Sequence, residues 1–313
     1  MTWQPLVPEP SALGESPFWH PTEQRLYWVD IDGKKINRCV PGEGAAESWV
    51  MPSEPGCMAP LDGGGLVIAL REGVYLAPQW GGALTLLATF AYDPATTRFN
   101  DGKADPFGRF WAGTIFEPRT TPEAVLYCVD NRAAGQPLVS RQAGGATVAN
   151  GLAWSPDGRT LYWGDTSSHT VRAWDWDGER NVLSAERVFK TWPAKPEGWA
   201  FDQPDSAQRY GGRPDGATVD AEGNYYAAMF EGARIAKLSP AGEVLQEFPV
   251  PAQCPTMPCF GGPDLKTLFV TTARHKRPAA ELARYPNSGC VFSMRVDTPG
   301  LPVNLFRHGT ANL

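Results

Sequence analysis

Four residues with oxygen-bearing side chains occupy the same position relative to predicted hairpin turns. Each stands eight residues before the end of its turn, and together they are Glu15, Asn100, Asn150 and Asp215. Carboxylate and amide oxygens, with no Cys or His among them, are the ligands of a hard or borderline divalent cation. The spacing therefore predicts one metal site, if the fold brings these positions together.

The elements that carry these residues are predicted to be short strands. Runs rich in β-branched and aromatic residues, such as 25–30 and 160–165, are separated by Pro, Asp and Gly turns, and no long helical periodicity competes. Turn signals recur six times, about 40 to 65 residues apart. They lie near Thr22, Gly63, Phe107, Asp157, Glu222 and Asp264. This repeat predicts an all-β, six-bladed β-propeller with four-stranded blades.

A propeller would explain the shared register of the four oxygen-bearing residues. The first strand of each blade lines the central channel, so equivalent positions encircle it at one height. A ring of buried oxygens is costly without a cation or water to satisfy it. We therefore expect a central metal site, within a single domain spanning residues 1–313.

Composition narrows the classes of partner. The net charge is −6 and no Lys/Arg run occurs, so nucleic acid is not expected to bind. No apolar stretch reaches the roughly 20 residues of a membrane span, and no secretory signal is visible. Six widely spaced cysteines without a CxxC pair predict buried, reduced thiols in a cytoplasmic protein. A monomer is the default expectation.

Three irregular stretches, residues 116–123, 190–214 and 274–287, are predicted to form loops at the metal-binding end. The second stretch contributes the expected aromatic walls of a sugar site, Trp192, Trp199, Phe201 and Tyr210. At the termini, we expect residues 3–7 to pair with a last strand at 303–306 and so close the ring.

Several motifs resemble those of the gluconolactonase / regucalcin (senescence marker protein) / luciferin-regenerating enzyme family. They are LGESP at 13–17, RFNDGK at 98–103, ANGLAW at 149–154, RPDG at 213–216, and FGGPD at 260–264 followed by LFVTTAR at 268–274. They span nearly the whole chain in the expected order. This is far more specific than any one motif.

The resemblance implies a six-bladed propeller holding one divalent ion. The implied metal ligands are Glu15, Asn150 and Asp215. The implied substrate contacts are Arg98 and Asn100, with Asp101 beside them and Glu117 as a further contact. The segment 193–212 is longer than expected for this family, and its role is not readable from the sequence.

The resulting hypothesis is hydrolysis of an aldonolactone, such as glucono-, xylono-, arabino- or galactonolactone, to the aldonate. The cation polarises the lactone carbonyl and stabilises the developing oxyanion. Asp215 accepts a proton from the attacking water, and Arg98 and Asn100 orient the sugar. Oxygen ligation favours Ca²⁺, with Zn²⁺, Mn²⁺, Mg²⁺ and Fe²⁺ as alternatives.

Two other functions remain open at this point. The same scaffold could hydrolyse other lactones or phosphotriesters, or it could be a non-catalytic propeller that binds calcium or a protein partner. Local alternatives also exist. Asp215 lies in a Pro-Asp-Gly sequence that reads like a turn, and Asp101-Gly102 is most simply a turn as well.

Overall fold

The computed structural model describes residues 2–133, 135–201 and 210–309. Within these residues the strands form six antiparallel four-stranded sheets, and contacts between neighbouring inner strands close them into a ring. The predicted six-bladed propeller with four-stranded blades is confirmed.

The first strand along the chain is β1 (Gln4–Pro5), which belongs to the last blade. The first blade contains β2 (Gly14–His20), β3 (Arg25–Asp30), β4 (Lys35–Cys39) and β5 (Glu47–Val50). The second contains β6 (Pro55–Pro60), β7 (Leu66–Leu70), β8 (Gly73–Ala77) and β9 (Thr85–Ala88). The third contains β10 (Thr97–Ala104), β11 (Phe110–Phe116), β12 (Ala124–Asp130) and β13 (Leu138–Ala146).

The remaining blades repeat this order from the channel outward. The fourth contains β14 (Ala149–Trp154), β15 (Thr160–Asp165), β16 (Thr170–Asp177) and β17 (Val182–Thr191). The fifth contains β18 (Arg213–Val219), β19 (Tyr225–Phe230), β20 (Arg234–Leu238) and β21 (Val244–Pro249). The sixth contains β22 (Pro255–Gly261), β23 (Thr267–Thr272) and β24 (Phe292–Arg295), and β1 completes it. A short helix, α1 (Ala279–Arg284), lies between β23 and β24.

The core consists of six clusters of buried apolar side chains, one between each pair of neighbouring blades. In each blade the innermost strand and the strand next to it are packed on both faces. For example, β2 and β7 are buried along their whole length. Outer strands such as β5 and β21 are mostly exposed.

All six cysteines are buried and form no disulfide bonds, as predicted. No helix in the described residues is long and apolar enough to cross a membrane.

The ring is closed by the N-terminal strand, but not with the partner predicted from the sequence. Gln4 pairs with Ser293 and Pro5 with Phe292, on β24. The segment 303–306 instead runs across the opposite end of the channel, where Phe306 N donates to Pro60 O at 2.9 Å. Further hydrogen bonds to the third blade, from Asn304 Nδ2 to Ala104 O and from Arg307 N to Gly108 O, hold the segment at that end, so it does not form the last strand.

Candidate metal and substrate site

One end of the central channel opens into a cavity of about 440 Å³. The three residues expected to hold a metal, Glu15, Asn150 and Asp215, all line it and are buried. They come from the inner strands of the first, fourth and fifth blades. Arg98, Asn100 and Glu117, three of the expected substrate contacts, line the same cavity.

A β-bulge at the start of each inner strand positions these side chains. The pairing register shifts between Glu15 and Phe18 in the first blade, and between Asn150 and Ala153 in the fourth. A shift also separates Pro214 from Ala217. A bulge re-aims a side chain and ends regular pairing locally, so it can direct a polar group into the channel while the rest of the strand packs in the core. Asp215 therefore lies within β18 and not in a turn.

The side-chain amide of Asn150 is held from two sides. Its Nδ2 donates to Thr166 Oγ1 at 2.7 Å, and Thr166 Oγ1 donates to Pro214 O at 2.7 Å. Its Oδ1 accepts from Asn100 Nδ2 at 3.2 Å. These bonds orient the amide oxygen and connect the third, fourth and fifth blades at the cavity.

Arg98 is buried beside this network. Its Nη1 donates to Asn100 Oδ1 and to Phe99 O, both at 2.9 Å. Its Nε lies 3.4 Å from Glu117 Oε1, and Glu117 also accepts from Arg71 at 2.8 Å. The guanidinium is therefore fixed by its neighbours before any substrate arrives.

Two buried carboxyl groups, Glu15 and Asp215, face the same channel mouth, and burial outweighs the effect of the cations near them. Burial, then the nearby Asp215 and Asp101, holds the pKa of Glu15 well above its ordinary value. Burial also raises the pKa of Asp215 to about 8, although Arg213 opposes the shift. Glu15 accepts a hydrogen bond from Ser16 N at 3.1 Å. Both carboxylates would be stabilised in their ionised form by a cation between them.

These residues fit a divalent cation. Two carboxylates and an oriented amide oxygen suit calcium and similar hard ions. The described residues hold no group of three or more His, Cys, Asp or Glu side chains arranged for a metal. With three protein oxygens, a cation here would have positions left for water or substrate oxygens.

Asp101 differs from the other expected contacts. It is buried within β10 at the bulge, does not line the cavity, and accepts from Leu152 N at 2.8 Å through Oδ2. Its Oδ1 has no hydrogen-bond partner in the described part of the chain. The alternative prediction of an Asp101-Gly102 turn is wrong, because the strand continues through both residues.

The expected aromatic walls are not part of this cavity. Trp192 packs in the core between the fourth and fifth blades, and Tyr210 accepts or donates a 2.7 Å hydrogen bond with His169. Trp199 stacks edge-on against Tyr210. Residues 202–209 of the long segment 193–212 lie outside the described residues.

Sequence reasoning missed several residues that line the cavity. They are Thr166, Arg119, Arg213, His275, Lys276 and Arg277. Thr166 directly follows β15, the strand that pairs with the strand of Asn150. Its place at the end of that strand could have indicated from the sequence that it lies beside Asn150. Glu231, just outside the cavity, lies 3.4 Å from Arg213 and 3.1 Å from Arg277 and so joins the fifth blade to the loop before α1.

Comparisons with known proteins agree with this architecture. Residues 13–274 match the model of the "SMP-30/Gluconolactonase/LRE-like region" family. The chain is 41% identical over 303 residues to a 6-deoxy-6-sulfogluconolactonase of Pseudomonas putida, covering 96% of this chain and 97% of the relative. It is 33% identical over 275 residues to a pentonolactonase of Haloferax volcanii, covering 87% and 86%.

Among solved structures, a calcium-binding protein, regucalcin, from Agrobacterium tumefaciens superimposes with a TM-score of 0.86 at 25% identity. The alignment covers 97% of this chain and 96% of that one. The predicted family is thus confirmed by sequence and by fold. The chain belongs to the SMP-30/gluconolactonase/LRE-like family.

Proposed function

We propose that this chain hydrolyses the lactone of a sugar acid to the free aldonate, with a divalent cation held by Glu15, Asn150 and Asp215. The observation that carries the proposal is the convergence of these three residues with Arg98 and Asn100 in one cavity. A cation held only for structural reasons would not need an immobilised guanidinium beside it.

The enzyme class is that of the carboxylic-ester hydrolases, and within it the lactonases, by similarity to the sulfogluconolactonase and the pentonolactonase. The names of these two relatives specify different sugars. The class is therefore shared, while the sugar must be decided by the side chains around the cavity.

In the proposed reaction each residue has a separate task. When bound, the cation supplies Lewis-acid polarisation of the lactone carbonyl. Asp215 accepts the proton of the attacking water. Arg98 and Asn100, held together by their hydrogen bond, orient the sugar, and Glu117 can accept from a sugar hydroxyl at the rim. The water oxygen bonds to the carbonyl carbon, the ring C–O bond breaks, and the proton held by Asp215 passes to the departing ring oxygen, which becomes the free hydroxyl. The aldonic acid then loses its own proton to solvent, and no covalent enzyme intermediate is formed.

Calcium is the first choice of metal. The donor set consists only of oxygens, and the similar solved protein is described as calcium-binding. Zinc, manganese, magnesium and ferrous iron also accept carboxylate and amide ligands, so the experiment must include them.

The proposal is tested by measuring lactone hydrolysis in a pH-stat with chelated protein, adding back one metal at a time. The panel contains glucono-, xylono- and galactonolactone, a long-chain lactone and a phosphotriester. We expect aldonolactone turnover that depends on metal. Asp215→Asn should abolish it and weaken metal binding, whereas Asp157→Asn, in an exposed turn, should leave it intact.

Rival functions give different results in the same experiment. Turnover of the long-chain lactone or the phosphotriester alone would replace the sugar substrate with that class. Aldonolactone hydrolysis at the spontaneous rate with every metal, together with tight calcium binding, would favour a non-catalytic calcium- or partner-binding propeller.

A further inference from the structure

The cavity that holds the candidate metal site is rich in positive charge. Five Arg or Lys side chains line it, and these are Arg98, Arg119, Arg213, Lys276 and Arg277. A cleft lined by one sign of charge concentrates ligands of the opposite sign. The question is which of these charges the protein already neutralises.

Three of the five have carboxylate partners. Arg98 faces Glu117, and Arg213 lies 3.4 Å from Glu231. Arg277 pairs with Glu281 at 2.6 Å and with Glu231 at 3.1 Å. These three cations are therefore compensated by the protein itself.

Arg119 and Lys276 differ from the other three. Neither makes an ion pair or a side-chain hydrogen bond with any other residue in the ranges that the structure describes, although the charge of Arg119 opposes the rise in the pKa of Asp215. Both are exposed at the cavity mouth, and both have left-handed backbone, with φ of 56° and 57°. That conformation is uncommon for long side chains and is often found at functional positions.

The two residues line the cavity from loops of different blades. Arg119 is in the loop between β11 and β12 of the third blade, and Lys276 is in the loop after β23 of the sixth. The anionic side chains of the cavity are already engaged: Asp32 contacts His275, and Glu117 contacts Arg98 and Arg71. Glu15 and Asp215 would be neutralised by a bound divalent cation.

We propose that the natural substrate is a sugar lactone that carries an anionic substituent away from its ring ester, and that Arg119 and Lys276 recognise this substituent. The inference rests on the proposed function and specifies its substrate class. A sulfonate, phosphate or carboxylate shares the needed chemistry, several oxygens that bear negative charge. A guanidinium can donate two parallel hydrogen bonds to such a group, and an ammonium adds a point charge.

The test compares kcat/KM of the metal-loaded enzyme for gluconolactone with that for 6-phosphogluconolactone, 6-deoxy-6-sulfogluconolactone and a glucaric acid monolactone. We expect at least one anionic lactone to be preferred by about tenfold or more. The preference should shrink as salt is raised, because the recognising charges are exposed. Which anionic lactone is preferred identifies the oxyanion.

A double variant, Arg119→Gln with Lys276→Gln, should lose most of this preference through a higher KM for the anionic lactone. The control is Arg180→Gln, which removes one positive charge from a side chain that is 83% exposed in the β16–β17 turn, away from the cavity. The control should keep the preference. Thermal melting of all variants should match the parent, since the substituted side chains are exposed. The kinetics are compared at saturating metal, because Arg119 acts on the carboxyl group of Asp215.

Two results would overturn the inference while leaving the proposed function intact. One is a parent enzyme that hydrolyses neutral lactones as efficiently as every anionic one. The other is a double variant that retains the full preference. If no lactone is hydrolysed with any metal, the proposed function fails first and the inference fails with it.

Discussion

Arg98 donates from Nη1 to Oδ1 of Asn100 at 2.9 Å, two residues further along the same inner strand. The amide nitrogen of Asn100 in turn donates to Asn150 Oδ1 at 3.2 Å. The group proposed to bind the sugar is thus linked to a proposed metal ligand through one side chain. This arrangement lets the roles of the two residues be separated by mutation.

Arg98→Ala should raise KM for the lactone by about tenfold or more, because a charge-assisted contact to the sugar is lost. The Asn100–Asn150 hydrogen bond survives this change, so metal affinity should stay within about twofold. Asn100→Ala should instead weaken the binding of both the metal and the substrate. Steady-state kinetics and calorimetric metal titration separate the two, with Arg295→Ala on the exposed surface as the control. Equal loss of metal affinity in both variants would contradict this division.

Thr166→Val should weaken metal binding by about tenfold or more, although Thr166 is not a proposed ligand. The change keeps the shape of the side chain but removes the acceptor for Asn150 Nδ2 and the donor to Pro214 O. The amide of Asn150 can then rotate, and the strand of Asp215 loses a tie to the fourth blade. Metal titration checks this result. Thr170→Val, at a half-buried position on the next strand that does not line the cavity, should leave metal affinity unchanged.

Much of this site could be predicted because hairpin turns have strong local signals. Asp–Gly turns such as the one at Asp157 mark where each inner strand ends, and counting back from them identifies the positions at the channel mouth. The inner strands and their neighbours, such as β2 and β7, are short and buried on both faces. For such elements local sequence and tertiary environment favour the same structure.

The parts that were missed depend on contacts between distant segments. Lys276 and Arg277 enter the cavity from a loop of the sixth blade, and Glu231 is brought to Arg277 by packing of the fifth blade against the sixth. Asp101-Gly102 has the sequence of a turn, but a bulge accommodates it within a strand. The terminal pairing differs from the prediction because the segment 303–306 is bound by the second and third blades, and its own sequence gives no sign of these distant partners.

Metal affinity should rise with pH. In the folded, metal-free protein burial raises the pKa of Asp215 to about 8, from an ordinary value of 3.8, and also raises that of Glu15. Each carboxyl group that must lose a proton adds up to about tenfold in affinity per pH unit, until the pH exceeds its pKa. Isothermal titration in buffers of different ionisation enthalpy should detect protons released on metal binding. No release between pH 6 and 8 would contradict the prediction.

The same shift predicts how the stability of the metal-free protein changes with pH. A carboxyl group with a raised pKa stabilises the fold below its ordinary pKa, and this contribution is lost as pH rises towards about 8. The melting temperature of chelated protein should therefore fall between pH 5 and 8, and added metal should reverse the fall. Asp215→Asn should flatten this pH dependence in the chelated protein. An unchanged slope in that variant would show that other groups cause the effect.

Gly151→Ala should damage the metal site through the backbone next to Asn150. Gly151 has a φ of 63°, and an added Cβ would lie 2.3 Å from the hydroxyl oxygen of Tyr225, which itself donates to Gly151 O at 2.7 Å. Gly158 is the matched control: its φ is 66°, but an added Cβ meets nothing within 4 Å. Alanine at 158 should therefore cost only about 1 kcal/mol of unfolding free energy and leave metal affinity unchanged. Alanine at 151 should lower the free energy of unfolding further, by about 1–3 kcal/mol. It should also lower metal affinity, because the close contact displaces either Tyr225 or Asn150.

Combining Gly151→Ala with Tyr225→Phe separates the two causes of this loss. Removing the hydroxyl relieves the close contact but not the strain of the left-handed backbone, so metal affinity should recover further than stability does. Denaturant unfolding and metal titration of the single and double variants give the two quantities independently. If both alanine variants behave alike, the close approach of Tyr225 has no part in positioning Asn150, and the orientation of its amide depends on Thr166 and Asn100 alone.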